Sequence, residues 1–197
     1  MTPQEFQTSW LQHFPEASPV SHTFRLVYPH RWGRIHSLPD AQRYPHNQKD
    51  WDILFHRQQT ALTHLFGDQS PICLVTGHYR YDGITREWTD DATRIFSTFS
   101  FQTLPAIDLH SINRDQYDPS DQFIPAYTSV NWPNVISKDL LEAIATDQAW
   151  AFFLSFDLTT IAAPYDGGMD IILPDTASRD TFRQTFSEWL SPYEEGL

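Results

Sequence analysis

The sequence predicts an α+β fold, a mostly antiparallel sheet with a C-terminal three-strand meander, covered by amphipathic helices. Three observations carry that prediction. Apolar residues recur at helical spacing through 47–66, apolar runs of strand length separated by turn residues crowd 150–173, and the strands come grouped rather than alternating one for one with helices. The 197 residues are expected to form a single domain, 1–197, with an ordinary globular balance of 40% apolar and 19% charged residues. Seven Trp, eight Tyr and fourteen Phe are expected mostly to fill the core.

The first helix starts at Thr2, with Pro3 at the first helical position and Glu5 completing a capping box. Phe6, Trp10 and Phe14 follow at four-residue spacing, and Pro15 marks the stop. Thr23 to Tyr28 reads as a strand with Phe24 and Leu26 on one face, and the stretch to Pro45 as a long connection with room for one short strand. The second helix begins at Asn47 and turns Trp51, Leu54, Phe55, Gln58, Leu62, Leu65 and Phe66 to one face before stopping at Gly67. Ile72 to Tyr79 is an apolar strand expected in the middle of the sheet. A weak helical pattern follows over Thr89 to Phe99, then polar sequence, a short strand from Tyr127 to Trp132 and a compact helix capped by Ser137. Trp150 to Phe156, Thr159 to Pro164 and Met169 to Leu173 read as the meander, its last turn supplied with φ > 0 residues by Asp166-Gly167-Gly168. A final helix from Asp175 or Thr176 carries Phe182, Phe186, Trp189 and Leu190 on its buried stripe.

A net charge of −12 argues against nucleic acid as the main partner, because counterion release needs clustered cations. The charge is uneven. Residues 17–48 hold Arg25, Arg31, Arg34 and Arg43 against the single acid Asp40, a net +3, which leaves −15 on the rest of the chain. That segment either receives an anionic group or balances nearby carboxylates. The N-terminus lacks a cationic start and an apolar core, so no secretory signal is expected. The longest apolar run, Ala149 to Leu154, is far short of the ~20 residues of a membrane helix. A cytoplasmic location without membrane attachment is expected. The lone Cys73, within Ile72-Cys73-Leu74-Val75, is expected to be a buried thiol.

Common catalytic patterns are missing. His-Glu-x-x-His, Gly-x-Gly-x-x-Gly, the Walker lysine loop and Gly-x-Ser-x-Gly do not occur, and His56 and His64 lie about 12 Å apart along their helix. No cofactor and no metal are expected. The remaining block is Pro164-Tyr165-Asp166-Gly167-Gly168-Met169-Asp170. Its two carboxylates, four residues apart across a turn, either act as a metal or acid–base pair or serve the structure. In the second case Asp166 stabilises the turn and Asp170 accepts bonds from backbone or arginine.

This block resembles the Tyr-Asp-Asp-Arg-Gly-Met-Asp signature that closes a bacterial family known only as domain of unknown function 3885. The order around it is also similar, with an aromatic-rich strand before the block, an amphipathic helix after it, and a long helix followed by an apolar strand upstream. The resemblance implies a shared fold over most of the chain and brings no activity with it. Gly167-Gly168 stands where the family has Asp-Arg-Gly, so no role for the missing Asp and Arg carries over.

The favoured reading is a non-enzymatic acidic binding module, of immunity or antitoxin type, for a cationic protein partner. Its binding residues are Tyr165, Asp166, Asp170, Trp132, Arg25 and Arg34. Two readings compete with it. One is a metal-assisted hydrolase using Asp166 and Asp170 with His78 or His110, and the other is an adaptor or self-associating subunit with no ligand site.

Overall fold

The computed structural model describes residues 1–67, 71–131, 137–155 and 157–191. The elements run α1 (Pro3–His13), α2 (Phe24–Val27), β1 (Trp32–His36), α3 (Gln48–Phe66), β2 (Pro71–Tyr81), β3 (Ile84–Thr85) and α4 (Asp90–Phe96). They continue with β4 (Gln102–Thr103), β5 (Ile107–Asp108), α5 (Leu109–Ile112), β6 (Gln122–Asn131), α6 (Lys138–Ala145), β7 (Phe152–Ser155), β8 (Ile161–Pro164), β9 (Gly168–Ile172) and α7 (Thr176–Thr185). The main path of the sheet is β1-β9-β8-β7-β2-β6-β4. β3 pairs with β2, β5 with β6, and all these pairings are antiparallel. This is the expected α+β architecture, and β7, β8 and β9 form the meander.

Both faces of the sheet are covered, which explains the unbroken apolar run in β2. Ile72 and Leu74 point into one cluster with Leu54, Leu62 and Phe66 of α3, Leu140 and Ile144 of α6, and Phe182 of α7. Cys73 and Val75 point into the other, with Phe6 and Trp10 of α1, Phe24 of α2 and Tyr127 of β6. Period-two alternation of side chains thus builds two cores from one strand. Cys73 is fully buried, as its sequence setting implied.

Local chemistry sets the helix ends. In α1 the Glu5 carboxylate accepts from the Thr2 amide at 2.7 Å, and Thr2 Oγ1 accepts from the Glu5 amide at 3.3 Å, the reciprocal bonds of a capping box. Asn47 Oδ1 accepts from the Asp50 amide to start α3, and Gly67 closes it at φ 72°.

Several expectations are corrected. Residues 23–28 form no strand: a 3₁₀ turn at Ser21–Thr23 leads into α2. Phe24 and Leu26 do not share a buried face, since Phe24 is buried while Leu26 is 73% exposed. Phe24 and Tyr28 are buried together four apart, the helical spacing, and Tyr28 N–H donates to Phe24 O at 2.8 Å. The strand of this region is β1, inside the connection that follows. The strand expected from Tyr127 is longer and starts at Gln122, its first half hidden by polar residues and Pro125. Trp132 lies outside the described residues. The final helix stops at Thr185, and Ser187–Trp189 is a 3₁₀ turn that leaves Trp189 and Leu190 half-buried.

The last turn of the meander is also built differently from expectation. Tyr165 and Gly168 exchange backbone bonds of 2.8 and 3.4 Å around Asp166-Gly167, but none of residues 166–168 has a positive φ. The glycines serve close approach instead. A Cβ on Gly168 would lie 2.3 Å from the Ile35 carbonyl oxygen of β1 and 3.0 Å from the Tyr165 hydroxyl, and a Cβ on Gly167 would lie 3.1 Å from the Tyr165 ring. Two glycines therefore let β1 and the Tyr165 ring close over the hairpin.

Candidate functional site

The β8–β9 hairpin meets the cationic segment through strand register. β1 pairs with β9 so that Arg34 stands directly opposite Asp170, which puts the two side chains on one face as cross-strand neighbours. Arg34 Nε donates to Asp170 Oδ1 at 2.6 Å and Nη2 to Oδ2 at 3.0 Å, a two-pronged pair whose side chains are only 11% and 13% exposed. The guanidinium also lies 5.1 Å from the centres of both the Trp32 and the Tyr165 rings. Burial acts to lower the Arg34 pKa, but the hydrogen bonds and charge of Asp170 outweigh it and hold that pKa above its usual value.

Asp166 is bound at the tip of the hairpin. Its Oδ2 accepts from Arg43 at 2.7 Å and from the Tyr44 hydroxyl at 3.0 Å. Here the carboxylate is sheltered while the arginine side chain is 65% exposed. Arg31 is also committed, donating to the carbonyls of Leu173 at 2.6 Å and His13 at 3.2 Å. Three of the four arginines of segment 17–48 thus tie the chain together. Arg25 has no ion pair or side-chain hydrogen bond among the described residues.

Two adjoining clefts flank Tyr165 and share Ser21, His22, Pro164 and Tyr165. The larger, about 370 Å³, is lined by Tyr79, Trp150 and Tyr165, with Asp147, Asp166 and Arg43 among its polar groups. Trp150 Nε1 donates to Asp147 Oδ1 at 2.9 Å, and Arg86 lies 4.9 Å over the Trp150 ring. The smaller, about 200 Å³, has Arg25, Arg34 and His22 on its walls with Asp170. Burial, with Asp170 and Asp166 nearby, pushes the Tyr165 hydroxyl up to about 12 against the opposing pull of Arg34 and Arg25, so it stays protonated. Burial pushes Tyr79 well above the usual tyrosine range.

Of the residues proposed from sequence, Tyr165, Asp166, Asp170, Arg25 and Arg34 come together around these clefts. His78 and His110 do not. His78 stacks on Trp88 with ring centres 4.2 Å apart, and His110 Nδ1 lies 2.6 Å from the Tyr117 carbonyl. Asp166 and Asp170 are each occupied by an arginine, and among the described residues no three His, Cys, Asp or Glu converge as a metal-holding set. His22, Tyr79, Asp147 and Trp150 were missed. They arrive from four separate segments, and no spacing in the sequence links them.

No curated protein and no solved structure gives a significant match to this chain. A family model does match, described as Domain of unknown function (DUF3885), over residues 20–194, a span that holds the whole sheet and both clefts. The chain belongs to that family.

Proposed function

We propose that this protein is a non-enzymatic binding module whose larger cleft docks basic side chains of a cationic protein partner, as in an immunity or antitoxin pair inside the cell. The observation that carries the reading is the lining of that cleft: three aromatic residues, Tyr79, Trp150 and Tyr165, together with Asp147 and Asp166. Aromatic faces attract guanidinium and ammonium groups, and a carboxylate beside them adds direction. Asp147 is exposed and carries no ion pair among the described residues, so its charge remains available. The chain's net charge of −12 adds long-range attraction for a basic partner. A hydrolase built on Asp166 and Asp170 fits less well, because both carboxylates are engaged by arginines and His78 and His110 stand elsewhere.

The test is capture from a native lysate at low salt, followed by surface kinetics on the retained protein. The Debye length shrinks from ~30 Å at 0.01 M to ~8 Å at 0.15 M, so association should slow steeply over that range while dissociation changes little. A basic partner with a salt-dependent on-rate supports the reading. Retention of nothing, or of a partner whose on-rate ignores salt, contradicts it.

A further inference from the structure

The smaller cleft differs from the larger in the sign of its uncommitted groups. Asp170 is the one carboxylate among the described residues of its lining, and Arg34 takes both of its oxygens. Arg25 is left without a carboxylate, Arg34 keeps Nη1 unpaired, and His22 Nδ1 has no protein partner among the described residues. Arg25 and His22 stand close enough for their charges to repel. Cationic groups held together in a concave site, with water partly displaced, are unfavourable until an anion neutralises them. A space of about 200 Å³ suits one small group, and arginine forks match planar or tetrahedral oxyanions.

We propose that this cleft binds a small oxyanion, a carboxylate or phosphate group, held by Arg25, the free Nη1 of Arg34, the Ser21 hydroxyl and protonated His22. Unlike the docking of basic side chains in the larger cleft, this site needs no protein partner to be detected.

The site is linked to protons through His22. Displacement of water around its ring, and repulsion by Arg25, hold its imidazole below the ordinary 6.5. The groups that face it come from every neighbouring element. Arg25 lies on α2, and the Tyr117 hydroxyl is 3.0 Å from Nε2. Arg34 of β1 and Asp170 of β9 cancel as a pair, as do Arg43 and Asp166. Tyr165 and Tyr79 stay protonated, and exposed Asp147 lies across the larger cleft. An anion beside Arg25 removes the repulsion, so binding raises the His22 pKa and takes up protons. Affinity therefore rises as pH falls from the His22 pKa of the bound state toward its lower pKa in the free protein.

The experiment titrates inorganic phosphate and acetate separately into the full chain, with calorimetry and NMR of the His22 ring at pH 6.0 and 7.5. Saturable binding of either anion with an upward shift of the His22 titration supports the site, and the arm that saturates identifies the group it prefers. Arg25→Gln should weaken binding about tenfold, the loss expected for one charge-assisted hydrogen bond. His22→Gln should retain binding at pH 7.5 and lose the pH dependence of acetate binding, since acetate keeps its charge over this range, and this keeps the proposal testable if Arg25→Gln does not fold. No saturable binding by either anion, or binding that neither substitution alters, overturns it.

Discussion

Tyr-Asp-Gly occurs twice in this chain, and the two copies are built in opposite ways. At 81–83 the tripeptide closes the β2–β3 hairpin with Asp82 at φ 49° and Gly83 at φ 77°, the doubly left-handed pattern of a type I′ turn. All three residues are exposed, and nothing lies within 4 Å of a Cβ built on Gly83. At 165–167 no positive φ is used, and the turn is packed between β1, Arg34 and Arg43. The first copy is shaped mainly by backbone conformation, with one Ser120 to Asp82 side-chain bond of 3.3 Å, and the second by tertiary contact. What separates them in sequence is the continuation: Gly168, which admits β1, and Asp170, which receives Arg34, have no counterparts after Gly83.

Alanine in place of each turn glycine should separate the two hairpins most. Gly168→Ala drives a Cβ to 2.3 Å from a backbone oxygen that cannot swing away, so β1 must move off β9, with an expected loss of about 3 kcal/mol or more. Gly83→Ala meets no atom and carries only the left-handed strain of about 1 kcal/mol. Chemical denaturation of both variants checks the ranking, and equal losses would mean that the two turns are held alike.

The two hairpin carboxylates give the next test. Asp170→Asn strands the mostly buried Arg34 guanidinium, with an expected loss of about 2–3 kcal/mol, somewhat below the range for a fully buried pair. Asp166→Asn releases the exposed Arg43, and less than about 1 kcal/mol should be lost. Thermal unfolding of the two variants at one ionic strength separates them.

Much of the fold was legible because its signals are local. The capping box of α1, the apolar face of α3 and the Ser137 cap of α6 all appear within a few residues of sequence. β1 was legible only as room for one short strand, because an edge strand reading Trp-Gly-Arg-Ile-His buries little beyond Ile35 and so lacks an apolar run. With β1 hidden, the partner of Asp170 was hidden too, since only the β1–β9 register puts Arg34 opposite it. The cationic segment and the carboxylate block were both visible, and each was readable as balancing the other. That Arg31, Arg34 and Arg43 are consumed while Arg25 finds no ion pair among the described residues depends on geometry alone.

A smaller effect links the packed hairpin to pH. His36 pairs with Gly168 across β1–β9, and burial, with Arg34 and Arg57 nearby, holds its imidazole below the ordinary 6.5. The unfolded chain therefore binds a proton at higher pH than the folded one, so this contribution is present above about 6.5 and lost as pH falls through the lower folded value. Between pH 7.5 and 5.5 the melting temperature of the native chain should drop, and the His36→Gln variant should drop less. An identical drop in both would show that His36 is solvated and uncoupled from the hairpin.

Asp147 and Asp82 provide a matched pair for the central claim, that the packed Tyr165 corner is a recognition surface and the bare hairpin is not. Both are exposed aspartates at positive φ, 58° and 49°, a conformation that asparagine also accepts, so each can lose its charge with little backbone strain. The measurement is the association rate of the captured basic partner with Asp147→Asn and with Asp82→Asn at low salt. Asp147→Asn should associate clearly more slowly and Asp82→Asn at close to the native rate, whereas equal rates in the two variants would contradict a recognition role for the Tyr165 corner.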